Sequence, residues 1–136
     1  MIGLVIATHA SLAAELLHAA ESIVGPIKHV RCHSVNSGAD LEDMQKKFQE
    51  SIAEVDCCGD GVLIMTDLFG GTPANIAARF LQKNRVEIVN GVNLPMLLKF
   101  SSSRDSMVLT KLAAFMRNYG QKSIVLTSDI MCGVEN

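Results

Sequence analysis

The chain has 136 residues, of which 49% are hydrophobic and 19% are charged, and its formal net charge is −2. This length suits one globular domain, 1–136, whose core needs no metal or disulfide support, and the weak charge without a Lys/Arg run disfavours nucleic acid as a partner. No apolar stretch reaches membrane-spanning length and the opening MIGLVIATH lacks the features of a signal peptide, so we expect a cytoplasmic protein.

The first half of the chain alternates apolar runs with segments of helical period, which is typical of an α/β domain with a mainly parallel sheet. Residues 2–7 predict a strand buried on both faces. The helix that follows is expected to be capped by Ser11 and is ended by Gly25-Pro26. Apolar and polar residues then alternate over 29–35, which indicates an edge strand with one face towards water.

The same alternation continues to the end of the chain. The third strand is apolar throughout and is therefore expected in the centre of the sheet. The remaining predicted elements, in chain order, are a helix capped by Asp40, a strand over 61–65, a helix over about 74–82, a strand over 86–89, a short helix after Pro95, a longer helix ended by Gly120 and a last strand over 123–127.

Polar groups follow three of these strands. His9 follows the first, Asp67 the third and Asn90 the fourth. Ligands of open parallel sheets bind beyond the carboxyl ends of the strands, so His9 and Asp67 face each other there if strands one and three are neighbours. An Asp that accepts a hydrogen bond from one ring nitrogen fixes the tautomer of the His, and the other nitrogen then has a lone pair for attack.

The segment after Asp67 predicts a binding place for an anion. Gly70-Gly71 lets backbone N–H groups approach an anion closely, Thr72 is a good N-cap and Pro73 a good first helical residue. The N-terminal end of that helix favours a phosphate or an oxyanion. A nucleophilic His, an orienting carboxylate and an anion cradle together suit a histidine that carries a phosphoryl group.

Each of these features also has a structural explanation when it is taken alone. A single His after a strand is more often structural, and Asp67 is suited to capping a turn through its own backbone. The other histidines are interpreted as solvated, His18 on a helix surface and His29 and His33 on the open side of the edge strand. Only the coincidence of His9, Asp67 and the glycine segment favours chemistry.

The cysteines give no sign of a metal site or a redox motif. There are four, Cys32, Cys57, Cys58 and Cys132, without C-x-x-C or metal-like spacing, so reduced thiols are expected. Cys57 and Cys58 are interpreted as an unspecialised pair at a helix end. No metal and no cofactor is predicted.

Three sequence blocks carry a family resemblance. They are Ile-Ala-Thr-His-Ala at 6–10, Thr-Asp-Leu-Phe-Gly-Gly-Thr-Pro-Ala-Asn at 66–75 and Asn-Gly-Val-Asn-Leu-Pro-Met-Leu at 90–97. In order and spacing they resemble the mannose-family enzyme IIA component of the bacterial phosphoenolpyruvate-dependent sugar phosphotransferase system, over essentially the whole chain.

This resemblance implies a phosphotransferase without a cofactor. His9 would accept a phosphoryl group from the histidine-containing phosphocarrier protein and pass it to a IIB partner, for sugar uptake and phosphorylation or for regulation. Asp67 would orient His9, and Gly70, Gly71 and Thr72 would hold the phosphoryl oxygens.

The resemblance also implies a fold and an assembly. The fold is a three-layer sandwich with helices on both faces of a parallel sheet of order 2-1-3-4 and a C-terminal antiparallel strand. Family members are usually homodimers that exchange this strand, a part that 124–127 would play here. The IIB partner is expected to be a separate protein, linked to a membrane IIC/IID permease, and Leu68, Phe69 and Met96 are expected to contact partner proteins.

Two unrelated α/β classes do not fit, and two related ones stay open. A response-regulator receiver needs acidic residues after strand one and a dinucleotide-binding domain needs a Gly-rich turn there, whereas this chain has Ala7-Thr8-His9. The alternatives are the related IIA domain that feeds dihydroxyacetone phosphorylation, which has a shorter glycine segment, and a non-catalytic regulatory module of the same fold.

Overall fold

Strands and helices alternate along the chain. A computed structural model describes residues 1–36 and 38–131. The strands are β1 Gly3–His9, β2 Val30–Val35, β3 Val62–Thr66 and β4 Val86–Asn90, and the helices are α1 Leu12–Val24, α2 Leu41–Val55, α3 Thr72–Ala78, α4 Leu94–Ser103, α5 Leu109–Lys122 and α6 Thr127–Ile130.

The strands form one sheet in the order β2-β1-β3-β4, and all three pairs are parallel. This order and the edge position of β2 confirm the predictions. In the central pair, Ala7 lies opposite Thr66. β1 continues past this pair to His9, whereas β3 ends at Thr66, so His9 and the residues that follow Thr66 meet at the same edge of the sheet.

Hydrophobic side chains are buried on both faces of the sheet, because alternate residues of a strand point to opposite sides. Leu4 of β1 belongs to a cluster with α1, α4 and α5, where Phe100 and Leu112 are among its largest side chains. Val5 belongs to a second cluster with α2 and α3, centred on Phe48. The result is the predicted three-layer sandwich.

A buried arginine closes the end of the sheet that lies away from His9. Arg104 follows α4, and its guanidinium donates hydrogen bonds to the carbonyl of Ile2 at 2.6 and 2.9 Å and to the carbonyl of Lys28 at 2.6 Å. These carbonyls precede β1 and β2. Arg104 thereby links α4 to the start of two strands and satisfies polar groups that burial would otherwise leave unpaired.

The predicted strand over 123–127 is not confirmed. Residues 124–126 pair with no strand in the described part of the chain, and α6 begins at Thr127. The apolar pattern that suggested a strand is present, but a strand needs an edge with which to pair. Within 1–36 and 38–131, residues 124–126 meet no such edge.

The interpretation of His33 as solvated is also wrong. Its ring stacks on Phe48 at 4.6 Å between centroids, and its Nε2 is hydrogen-bonded to the Ser51 hydroxyl at 2.8 Å. Burial, with the nearby charge of Lys47, lowers the pKa of His33. Helix α2 therefore covers the polar face of β2 with an aromatic and a hydroxyl group, which the alternation within β2 did not reveal.

Candidate functional site

His9 is the last residue of β1, and its side chain is 49% exposed at the carboxyl edge of the sheet. Its Nδ1 lies 2.8 Å from Oδ2 of Asp67, and its backbone N–H donates to the same oxygen at 3.0 Å. Two hydrogen bonds to one carboxylate oxygen fix both the backbone and the ring of His9. The structure thus brings together the two residues that the sequence paired.

The carboxylate of Asp67 is held in its ionised form. Burial by itself would raise the pKa of Asp67, but the hydrogen bonds from the backbone and the ring of His9 lower it, and the net pKa is below the ordinary value. Oδ1 accepts a further hydrogen bond from the N–H of Leu68 at 3.0 Å. An ionised carboxylate only accepts hydrogen bonds, so Nδ1 of His9 has the proton and Nε2 has the free lone pair.

The glycine segment packs directly against the outer edge of the His9 ring. A Cβ added to Gly71 would lie 2.8 Å from Cε1 of His9 and 3.5 Å from Nε2. Gly70 has φ +88°, a conformation that favours glycine. The backbone at Gly71 therefore lies beside the nitrogen that has the lone pair, as close as a residue without a side chain permits.

Helix α3 starts at this segment, one residue earlier than predicted. Gly71 is its N-cap, Thr72 its first residue and Pro73 its second. The first N–H groups of any helix lack intrahelical acceptors. With the exposed Thr72 hydroxyl, they supply hydrogen-bond donors close to Nε2 of His9.

The side chain of Thr8 binds the backbone of His9, a role that the sequence did not predict. Its buried Oγ1 donates to the His9 carbonyl at 3.0 Å and accepts from the N–H of Ala13 at 2.7 Å. Thr8 thereby caps α1, whereas Ser11, the expected cap, makes no capping hydrogen bond with its side chain. The available signal for this cap was a threonine four residues before the start of α1.

Ala10 stands in the left-handed region directly after His9. Its φ is +49°, a conformation that costs an L-residue about 1–2 kcal/mol. The Ser34 hydroxyl, at the end of β2, donates to the Ala10 carbonyl at 2.6 Å and holds this turn. Neither residue type signals such a turn, so it could not be predicted from the sequence.

Asn90, the third polar residue predicted at a strand end, forms its side-chain hydrogen bond with Thr66. Its Oδ1 accepts from the Thr66 hydroxyl at 2.6 Å, and the N–H groups of Gly91 and Val92 both donate to the Thr66 carbonyl at 2.9 Å. These contacts join the ends of β3 and β4. Asn90 therefore shapes the edge of the site through Thr66 and has no hydrogen bond to His9 in the described residues.

Two of the three predicted docking residues lie at the surface. Phe69 is 84% exposed beside the site, and Leu68 is also exposed. Met96 is only 2% exposed, and the prediction that it docks a partner is wrong. The inner face of α4 packs on α5, where a Cβ added to Gly120 would lie 2.5 Å from the sulfur of Met96.

The described residues contain no group of three or more His, Cys, Asp or Glu side chains placed to hold a metal ion. In the same part of the chain, no helix has the length and apolar character needed to cross a bilayer. The geometry of the site itself offers a nucleophilic nitrogen on His9, an ionised carboxylate on the opposite ring nitrogen and backbone donors beside the reacting edge.

Known proteins share this sequence pattern. The family described as "PTS system fructose IIA component" (EIIA-man) matches residues 3–116. The mannose-specific EIIAB component of the phosphotransferase system (PTS) of Escherichia coli (strain K12) is 35% identical over 105 residues, 76% of this chain and 32% of that protein. The chain thus spans about a third of the length of that relative.

Other relatives match over most of their length. The PTS fructose-specific EIIA component of Bacillus subtilis (strain 168) is 28% identical over 130 residues, 95% of this chain and 88% of that protein. The crystal structure of the PTS IIA protein associated with the fucose utilization operon from Streptococcus pneumoniae has a TM-score of 0.81 at 30% identity and covers 93% of both chains.

Proposed function

Because the chain belongs to the EIIA-man family of phosphotransferase-system IIA components, we propose that it carries a phosphoryl group on Nε2 of His9. IIA components of this family act as phosphotransferases. The observation that carries the assignment to His9 is the 2.8 Å hydrogen bond between its Nδ1 and Asp67. In the neutral ring this bond places the proton on Nδ1 and the lone pair on Nε2, at the exposed edge.

The donor is the phosphohistidine of the histidine-containing phosphocarrier protein. The lone pair on Nε2 of His9 attacks the phosphorus, and the N–P bond of the donor breaks with its electron pair returning to the donor ring. The His9 ring becomes cationic as the new N–P bond forms. Asp67, ionised and hydrogen-bonded to Nδ1, stabilises that charge, which is the electrostatic help that such a transfer needs.

The phosphoryl oxygens bind to the start of α3. The donors are the backbone N–H groups at Gly70 and Gly71 and the hydroxyl of Thr72, in the segment that packs against the reacting edge of the His9 ring at Gly71. Gly71 is required because any larger residue would occupy the space beside Nε2. This cradle fixes the phosphoryl group without a metal ion.

The acceptor is a IIB protein, which takes the phosphoryl group from His9 for sugar uptake and phosphorylation through a IIC/IID permease. The exposed Leu68 and Phe69 form the apolar rim against which both proteins dock. The names of relatives refer to mannose and fructose, and they support a sugar pathway. In this scheme the protein carries the phosphoryl group and does not itself bind the sugar.

The working unit is a homodimer joined through the C-terminal segment 124–131. Within this segment the apolar side chains Ile124, Val125, Leu126 and Ile130 are all exposed. In the described chain, β4 lies at the edge of the sheet, and its outer side is paired only at Val86, in an isolated antiparallel bridge with Gln82. A second copy supplies both the cover for these side chains and an edge with which 124–126 can pair.

Phosphorylation with purified components tests the assignment. The protein is incubated with phosphoenolpyruvate, enzyme I and the phosphocarrier, and the label is located by peptide mass spectrometry. We expect one acid-labile, base-stable phosphoryl group on His9, none on His9→Ala and full labelling of His18→Ala, which changes an exposed histidine of α1.

The outcomes separate the alternatives. Normal labelling of His9→Ala would refute the site, and an unlabelled wild-type protein would favour the non-catalytic regulatory module. Asp67→Asn, which keeps the shape of the side chain but removes its charge, is expected to slow transfer by about 100-fold or more, because the neutral amide no longer fixes the tautomer or the ring charge. An unchanged rate would remove Asp67 from the mechanism.

A further inference from the structure

Two adjacent thiols stand at the opposite end of the sheet from His9. Cys57 and Cys58 lie in the turn between α2 and β3, both are exposed, and their sulfur atoms are 3.2 Å apart. The turn precedes β3, whereas His9 ends the neighbouring parallel strand β1. The five residues of β3 span about 15 Å, so the thiols are separate from the proposed phosphoryl site.

The turn holds both thiols in place. The N–H of Gly61 donates to Oδ1 of Asp56 at 3.1 Å, and the carbonyl of Gly61 accepts from the N–H of Gly3 at 3.0 Å. The hydrogen bond with Cys58 is the main cause that raises the pKa of Cys57. The two thiols are therefore side by side before any ligand arrives.

A direct bond between the two sulfurs does not suit this position. The α-carbons of adjacent residues are about 3.8 Å apart, whereas disulfides usually need about 4.4–6.8 Å. A single atom that bonds both sulfurs suits it better. Two bonds of about 2.3 Å that leave a pyramidal centre at roughly 90–100° place their sulfurs about 3.3–3.5 Å apart, close to the observed 3.2 Å.

The ligand class follows from the number of donors. A structural zinc ion takes four protein ligands, and no cluster of three or more ligating side chains exists in 1–36 and 38–131. A trivalent arsenical with one organic substituent needs only two thiols, because its third bond is already made. It is also thiophilic, as two sulfur donors require.

We propose that Cys57 and Cys58 form a chelating site for trivalent organoarsenicals. The arsenic–oxygen double bond of R–As=O and the two S–H bonds are replaced by two As–S bonds, and the oxygen leaves as one water with both thiol protons. Arsenic stays trivalent, so no oxidant or reductant takes part. The product closes a ring over the turn before β3.

The test uses the full chain and phenylarsine oxide, followed by intact-protein mass spectrometry. We expect one adduct, with the mass of the reagent less one water, that survives an excess of 2-mercaptoethanol and is removed by dithiothreitol. Cys57→Ser and Cys58→Ser should each weaken binding by about 100-fold or more, because the second As–S bond forms at a high effective concentration.

Two other cysteines provide matched controls. Cys32→Ser should bind as the wild type does, because Cys32 is half-buried and burial raises the pKa of its thiol to about 11. Cys132→Ser should also bind normally. In the wild type, phenylarsine oxide should protect Cys57 and Cys58 together from alkylation by iodoacetamide, a measurement that needs no variant to fold.

The outcomes that would overturn the proposal are specific. An adduct that persists in the double variant Cys57→Ser/Cys58→Ser, or is lost in Cys132→Ser, would place the arsenic elsewhere. A wild-type adduct that 2-mercaptoethanol removes would mean single-thiol binding without chelation. Alkylation of Cys57 and Cys58 at the same rate with and without the arsenical would mean that the arsenical binds neither thiol.

Discussion

At the scale of single residues, the negative charge of Asp67 determines which tautomer the neutral ring of His9 adopts. The pKa of Asp67 lies below its ordinary value of 3.8 because His9 donates to it from the backbone and from the ring. A carboxylate with a lowered pKa stabilises the native state above the unfolded pKa, and this contribution is lost only as the pH falls through the lower folded pKa. Near neutral pH Asp67 is therefore ionised and accepts the hydrogen bond from Nδ1 of His9.

Gly71 determines whether the His9 ring can occupy its observed position. Gly71→Ala should slow phosphorylation of His9 by about 10- to 100-fold, since the new Cβ would meet Cε1 of the ring at 2.8 Å and even a small misplacement of a reacting group is costly. The fold should persist, because Gly71 has φ −83°, which alanine adopts without strain. Initial rates of phosphoryl transfer and thermal unfolding measure the two effects.

The control is the same change in a different glycine. Gly59 has φ +74° and open space around it, in the turn before β3. Gly59→Ala should lower the free energy of unfolding by about 1 kcal/mol and leave phosphorylation unchanged, the reverse of Gly71→Ala. Wild-type rates in Gly71→Ala would show that the ring moves aside without harm, and the role proposed for Gly71 would fail.

At the scale of elements, Thr8 joins β1 to α1 and so fixes the direction in which the chain leaves the site. Thr8→Val keeps the volume but removes the hydroxyl that bonds the N–H of Ala13 and the carbonyl of His9. We expect the free energy of unfolding to fall by about 1–2 kcal/mol, the usual cost of a lost cap with buried partners. Chemical denaturation followed by circular dichroism measures it.

Ser11→Ala is the matched variant, because Ser11 occupies the N-cap position of α1 without a capping hydrogen bond from its side chain. Its effect should stay within about 0.5 kcal/mol. If Ser11→Ala were costly and Thr8→Val harmless, the cap expected from the sequence would be the correct one. The order of the two effects therefore distinguishes two explanations of the same helix start.

Elements whose partners lie in the same chain were predictable. Continuous apolar runs identified β1 and β3 as central, because both faces of a central strand are buried. The alternation within β2 identified it as an edge strand, although it did not reveal that α2 covers His33 on the polar face. The pairing of His9 with Asp67 followed, since the ends of neighbouring parallel strands meet.

Features that depend on a neighbouring element were not predictable in this way. His33 is covered by α2, and Met96 is buried by α5. The left-handed Ala10 is held by Ser34 from another strand. In each case the deciding contact comes from a residue distant in sequence, which neither periodicity nor turn preference in the local sequence contains.

At the scale of the whole molecule, the segment 123–127, predicted as a strand, lacks both burial and a pairing partner within the described chain. Its apolar side chains indicate burial, yet in the described chain they are exposed and 124–126 have no strand partner. Apart from an isolated bridge between Val86 and Gln82, the outer edge of β4 is likewise unpaired within the described sheet. A second copy of the chain can cover these apolar side chains and pair with a free strand edge, as in the proposed homodimer.

Charge introduced into segment 124–131 should therefore dissociate the dimer. Leu126→Asp is expected to give a monomer in sedimentation equilibrium at a concentration at which the wild type is dimeric, because an ionised side chain is costly to bury in an apolar contact. Ile23→Asp is the matched control, since Ile23 of α1 is 60% exposed and Leu126 is 64% exposed. It should remain dimeric. A wild-type protein that sediments as a monomer, or a Leu126→Asp variant that sediments as a dimer, would contradict assembly through this segment, while circular dichroism verifies that both variants keep the fold of the single chain.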